Sequence, residues 1–376
     1  MKTKFIIDIS GIAYQIINRI TGYGGKNIKD VVQSGRLYLQ EESERLRFLS
    51  ELHAEISKIG SFFNLLDVDE VSFAFDPFNS KSFRYDIFSD YKQTWSKKKP
   101  KCYDSGVMVE LLQQYHDDLK NKGFKVLERN KLEADDIIYE YCKLYDKDYC
   151  VGIISMDGDL KQLLSKNVFM FNNLTNEVFI PNNFYTLGSK NEELLVDELV
   201  ETDETDEVED FFSTNLEDDV MDRANSKFFD NAIVVDPEEI LIEKLLCGDK
   251  TDNITSFFTY ETKNGMKEFA FTDKRYAQLL EEGHKITKNH LSYAKDHKPF
   301  VGLLSLLSET VKRPLDITRL DEYRKKLETR YKLMDLSKAG EQHNSSQEVI
   351  LMIKNSSSSR DLDSVNYGNS HEFEQY

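Results

Sequence analysis

FIIDISG, residues 5–11, sets the reading of the whole chain. An apolar run of strand length closes on a carboxylate, Asp8, and the chain then turns into a helical pattern. The same grammar recurs twice. VSFAFD ends at Asp76 and CVGIISMD ends at Asp157. Runs that are apolar on both faces are what parallel strands require when helices cover both sides of a sheet. Helical periodicity fills the intervals, over Glu42–Asn64, Val107–Lys122 and Ala134–Tyr145. Strand and helix in alternation predict an α/β fold built on a mostly parallel, twisted sheet. Ligands of such sheets bind beyond the carboxyl ends of the strands, and three strands here deliver an Asp to that edge.

Acidic partners look excluded by the formal charge of −18 until its location is considered. Glu192 to Asp222 holds fifteen Asp and Glu and no Lys or Arg, so the remainder carries only −3. Lys81 to Lys101 is the opposite case, with seven basic residues against Asp86 and Asp90. A local basic stretch of this kind suits phosphate binding. The four cysteines, Cys102, Cys142, Cys150 and Cys247, form neither a zinc pattern nor a disulfide framework, which fits a reducing cytoplasm. No run of about 20 apolar residues is present to span a membrane. Asp8 and Arg19 interrupt the apolar N-terminus, which reads as a first strand and helix rather than a signal peptide.

Four parts are expected: an α/β domain over 1–189, an acidic, disordered insertion over 190–230, a helical C-terminal region over 231–339 and a flexible tail over 340–376. Within the third part, Asp236 is placed to cap a helix that begins at Pro237 and stops at Gly248. The Ser- and Asn-rich tail contains one apolar run, Val349–Ile353, able to dock.

The chemistry lies in dispersed acids: Asp8, Asp76, Glu133, Asp135, Asp136, Asp157, Asp159, Asp249 and Asp252. The predicted sheet brings the first seven to one edge. Two carboxylates about 4 Å apart repel by roughly 4 kcal/mol at an effective dielectric near 20, so such a group must protonate or hold cations. All-oxygen donors without His or Cys point to Mg²⁺ or Mn²⁺. Two such ions about 4 Å apart can activate water and stabilise the leaving oxygen of a phosphodiester. An acid taken alone is more often a solvated surface group or a helix cap, Asp8 and Asp76 less so because they close strands of apolar neighbours.

DISG at Asp8, FAFD followed by F-R and Y-K up to Lys92, LEADD at Glu133, SMDGD at Asp157 and GDKTDN at Asp249 together resemble the flap-endonuclease, or 5′-nuclease, family. Within it the chain most resembles the T-even-type phage enzymes called ribonuclease H. The resemblance spans about residues 4–254 and, more loosely, on to 338. It implies a PIN-like 5′-nuclease fold with a helical arch over about 81–108 and a helical C-terminal region. It implies a first metal surrounded by Asp8, Asp76, Glu133, Asp135 and Asp157, a second held by Asp159, Asp249 and Asp252, and Asp136 near both. Arg84 and Lys92 would be arch cations acting on the scissile phosphate, with Asp157 also placed among the catalytic groups. Lys81, Lys97, Lys98, Lys99 and Lys101 would line the nucleic-acid path. Tyr91 and Trp95 would stack on bases or pack in the core. One departure is plain: ITSFFTYETKNGMKEF follows GDKTDN where the family commonly has a glycine-rich helix-hairpin-helix.

The resulting expectation is a phosphodiester hydrolase, a Mg²⁺-dependent 5′-3′ exonuclease or flap endonuclease with ribonuclease H-type primer removal. It would be a cytoplasmic monomer acting on DNA and RNA–DNA junctions in replication and repair, with a single-strand-binding protein or sliding clamp as further partners. The alternatives are a PIN-type ribonuclease, usually shorter and without the GDKTDN region, and a junction-binding accessory protein that does not cut. A haloacid-dehalogenase phosphatase would need Asp where Ser10 stands.

Overall fold

The computed structural model describes residues 2–21, 36–63, 68–92, 102–184, 228–249, 252–254, 258–262, 265–269, 271–291, 298–311, 320–338 and 346–356. Seven strands share one sheet: β1 (Thr3–Asp8), β2 (Val68–Ala74), β3 (Lys125–Leu127), β4 (Cys150–Ile154), β5 (Val168–Asn172), β6 (Glu177–Pro181) and β7 (Ile233–Val235). Their spatial order is β3-β2-β1-β4-β5-β6-β7. Every pairing is parallel except that of β5 with β6. The chain runs outward from β1 through β2 to β3, then crosses back to place β4 on the other side of β1. The crevice at this reversal, beyond the carboxyl ends of β1 and β4, is where such folds bind ligands. Asp8 is the last residue of β1, and Asp157 follows β4 by three.

Helices cover both faces of the sheet, which is why β1 is buried along its whole length. On one face, α1 (Ile9–Thr21), α2 (Glu42–Phe63) and, after the short α3 (Arg84–Ile87), α4 (Ser105–Asn121) build a core that includes Ile12, Ile16, Phe48, Leu52 and Leu112. On the other, α5 (Ala134–Tyr145) contributes Ile137, Ile138 and Tyr141.

A separate core gathers α6 (Pro237–Cys247), α7 (Asp273–Glu281), α8 (Lys288–Leu291), α9 (Lys298–Val311) and α10 (Leu320–Met334) around Ile242, Leu245, Leu304, Leu307 and Tyr323. Asp236 caps α6 through the amides of Glu238 and Glu239, as its sequence predicts. This region is not helical throughout, because Phe258–Thr262 and Gly265–Phe269 pair as an antiparallel two-stranded ladder, β8 and β9.

Of the expected flexible tail over 340–376, only residues 346–356 are described, and there the expectation needs correction; the rest lies outside the described residues. Ser346–Asn355 forms α11, with Val349 and Ile353 fully buried in the core beside α5. Two branched apolar residues four apart make one helical stripe, and burying it outweighs the polar composition around it. Of the expected arch, α3 and the start of α4 are described. Trp95, Lys97, Lys98, Lys99 and Lys101 lie outside the described residues, as do residues 190–227 of the acidic stretch. Among the described residues no helix is long and apolar enough to cross a membrane.

Candidate metal centre

Asp8 leaves β1 into the first turn of α1. One carboxylate oxygen accepts from the Gly11 amide at 2.8 Å and the other from Ser155 Oγ at 2.8 Å. This approach demands glycine, since a Cβ at residue 11 would stand 2.3 Å from Asp8 Oδ2. Ser10 beside it accepts the Asp76 amide at 2.8 Å, and the Asp76 carboxylate accepts from the Ala134 amide at 2.9 Å. The ends of β1 and β2 are thereby tied to the start of α5. That turn of α5 presents Asp135, half-buried. Ser155 also accepts the Asp157 amide at 3.0 Å, and Asp157 in turn caps the 3-10 helix Gly158–Leu163 through the Asp159 amide.

These acids share one electrostatic field. Burial, reinforced by Asp76 and Asp157, pushes the Asp8 carboxyl up to about 7 against the opposing hydrogen bonds from Gly11 and Ser155. Burial, then Asp157, Asp8, Glu133 and Asp76, raises Asp135 well above the usual carboxylate range. Asp76, Asp157 and Asp252 are raised as well, each chiefly by burial. Such mutual repulsion is what a bound cation relieves.

Three expectations fail at the next layer. Arg84 does not face the cleft. Its side chain is only 3% exposed, pairing with Asp136 through both terminal nitrogens at 2.7 and 2.8 Å, with Glu133 at 3.1 Å and with the Leu333 carbonyl at 2.8 Å. A guanidinium with four donors committed in the interior is a brace, with none of those donors left for a phosphate. Asp136 is committed to the same brace, and its Oδ2 also accepts the Glu133 amide at 3.0 Å, so it does not stand free for a metal. Tyr91 is 2% exposed, stacked edge-on against Tyr85 and donating to Glu133 at 3.1 Å, which assigns it to the core rather than to base stacking.

Lys92 does reach the cleft. Its ammonium contacts Glu133 Oε1 at 2.9 Å with 40% of the side chain exposed. Burial alone would lift Glu133, but Lys92 and Arg84 outweigh it and hold this carboxyl below its usual range. Lys81 is exposed and lies over the Tyr85 ring at 5.3 Å.

The second group of acids is built differently. At the end of α6, Gly248 takes a left-handed φ of 77° and donates its amide to the Lys244 carbonyl at 2.8 Å, turning the chain back so that Asp249 lies beside the Lys244 ammonium. Asp249 Oδ1 accepts the Asp252 amide at 3.1 Å, while backbone bonds join Asp249 to Ile254 and Lys92 to Asp252. Between Asp159 and Asp249 sits the Lys244 ammonium, 3.0 Å from Asp249 Oδ2 and in direct contact with Asp159 Oδ2. Arg330, 3% exposed, caps the Leu245 and Leu246 carbonyls from α10.

Among the described residues, no three His, Cys, Asp or Glu side chains stand close enough to hold an ion as they are. The donor chemistry fits a hard divalent cation: carboxylate oxygens from separate elements, without His or Cys among them. Asp8, Asp76, Asp135 and Asp157 form one candidate half-site with Glu133 at its rim, and Asp159, Asp249 and Asp252 form the other.

Sequence reasoning missed four participants. Ser10 and Ser155 orient the acids without carrying charge. Lys244 was legible only as a cation in the last turn of a helix, a common placement. Tyr14 gave no sequence signal at all, yet its ring is 44% exposed on α1 in the field of Asp76, Lys92 and Glu133.

Comparison with known proteins bears on this geometry. The family described as 5′-3′ exonuclease, N-terminal resolvase-like domain, matches residues 49–188, a span that carries Asp76, Glu133, Asp135 and Asp157. Over that span the chain is similar to the 5′-3′ exonuclease family. Relatives share this region: the 5′-3′ exonuclease of Aquifex aeolicus is 38% identical over 102 residues, which is 27% of this chain and 33% of that one. The 5′-3′ exonuclease of Mycoplasma genitalium is 33% identical over 125 residues, 32% of this chain and 41% of that one. The chain thus spans well under half the length of these curated 5′-nuclease relatives. Among solved structures, the phage T5 5′-exonuclease with zinc bound superposes over 94% of this chain and 98% of its own, with a TM-score of 0.53 and 15% identity, a likeness of fold. That fold is the PIN-like, mostly parallel sheet expected of a 5′-nuclease.

Proposed function

We propose that this protein is a divalent-metal-dependent 5′-nuclease that hydrolyses phosphodiesters at single-strand/duplex junctions. One observation carries the reading: Asp8, Asp76, Asp135 and Asp157, contributed by the ends of three strands and the start of one helix, share a single field at the sheet's reversal point. An accessory protein that only bound nucleic acid would gain nothing from such a group, because it repels phosphate.

Mg²⁺ is the proposed physiological cation, with two ions per site and Mn²⁺ able to substitute; bound there, it would supply an activated water and positive charge at the leaving oxygen. Asp8, Asp76, Asp135 and Asp157 would hold one ion, and Asp159, Asp249 and Asp252 the other. Ser155 and Gly11 keep both oxygens of Asp8 oriented. Lys92 is the described cation best placed to neutralise a phosphate oxygen, and Arg84 serves it indirectly by fixing Glu133.

The test is incubation with end-labelled 5′-flap, nicked and RNA-primed duplexes, with Mg²⁺ and with chelator. Cleavage near the junction that needs Mg²⁺ and fails with chelator is expected. Metal-independent cleavage, or binding of all three substrates without cleavage, would overturn the proposal.

A further inference from the structure

Lys244 is a charged group in the cleft whose position the proposed chemistry does not require. Its ammonium lies between two carboxylates from different parts of the fold, Asp159 on the 3-10 helix and Asp249 beyond the end of α6. Both acids are assigned above to the second ion. The geometry is enforced from behind: the left-handed Gly248 folds Asp249 back toward Lys244, and Arg330 fixes the last carbonyls of α6. The three side chains are 19%, 29% and 18% exposed for Lys244, Asp159 and Asp249, and they line a cleft of about 460 Å³ that also touches Gly158 and Thr272. A cation can therefore enter, and a flexible four-carbon stem has room to leave.

Among the described residues, no ammonium lies in contact with two acids of the first half-site, although Lys244 and Lys92 both act on Asp157 through space. Lys92 pairs with Glu133 at the rim, while Asp8 and Asp135 repel each other.

We infer that Lys244 is a built-in counter-ion of the second half-site: it holds Asp159 and Asp249 together in the metal-free protein and must be displaced before a divalent cation can occupy them. This inference rests on the metal-binding part of the proposed function. Two consequences follow. A divalent ion competes with an ammonium in direct contact at Asp159 and Asp249, so the second half-site binds more weakly than the first. Metal entry also releases the ammonium into the cleft, changing its exposure.

The experiment uses the full chain and Mn²⁺ alone, with free Mn²⁺ followed by electron paramagnetic resonance. Wild type is expected to bind in two classes. In Lys244→Met, which keeps the apolar stem and removes the charge, the weak class should tighten at least tenfold and the strong class much less, through Asp157 alone; Lys244→Arg should resemble wild type. A weak class unchanged or loosened in Lys244→Met overturns the inference. A second measurement needs no variant: acylation of Lys244 by an amine-reactive reagent, read by mass spectrometry, should rise as Mn²⁺ fills the weak class, and labelling indifferent to Mn²⁺ overturns it equally. Should neither protein bind Mn²⁺, the metal-dependent function falls with it. Two classes insensitive to Lys244 would sink this inference alone.

Discussion

The two carboxylate groups of the cleft handle the same electrostatic problem in opposite ways. Around Asp8 and Asp135, acids are buried against one another and are pushed upward, with Asp8 reaching about 7. Around Asp159 and Asp249, a lysine from the chain itself lies between the charges. A cluster of acids built on strand ends is rigid and cannot move apart, so it stores repulsion. One built on a helix terminus and a short 3-10 turn can recruit a long side chain. The difference teaches that equal charge does not mean equal readiness for metal: one half-site gains from any cation, whereas the other must exchange one for another.

The comparison breaks most readily at its brace. Arg84→Met leaves Asp136 and Glu133 as buried charges with a partner removed, and should cost about 3–5 kcal/mol of stability, read by urea denaturation. If Arg84 instead acted on phosphate, turnover would collapse with stability unchanged. Next, Asp135→Asn should lower Mg²⁺-dependent turnover on a 5′-flap by roughly a hundred- to a thousandfold while raising the melting temperature of the metal-free chain, because it removes one of the repelling charges. The same exchange at Asp159 should lower that temperature, since Lys244 loses a partner.

Gly11→Ala sets a Cβ against Asp8 and should cost about 1–3 kcal/mol through overpacking, with weaker binding of the strong Mn²⁺ class. The smallest effect per step is that of a single pH unit. Asp8 takes up its proton near 7 when folded and near 3.8 when unfolded, so between those values the folded chain binds more protons. Metal-free stability should fall as pH rises from about 4 to about 7, by at most about 1.4 kcal/mol per unit for each such proton. Saturating Mg²⁺ should flatten that slope, and a thermal-melt series with and without metal measures it.

Fold and site were not equally legible. Strands ending at Asp8, Asp76 and Asp157 announce themselves because burial on both faces requires unbroken apolar runs, and the acid marks where burial stops. The start of α5 was readable for the same reason that LEADD reads as a helix entry. The fate of Arg84 was not readable, since its burial depends on Leu333, 249 residues away, offering a carbonyl. Nor was the docking of α11: Val349 and Ile353 are a weak stripe until α5 presents a surface to receive them.

Local order and the inventory of acids, then, were settled by the linear chain, because periodicity and residue type act over a few neighbours. Which of those acids stand together, which are neutralised, and by which cation were decided only in three dimensions. Charges interact through space rather than along the backbone, and Arg84 with Asp136, or Lys244 with Asp159, are pairs made by folding alone.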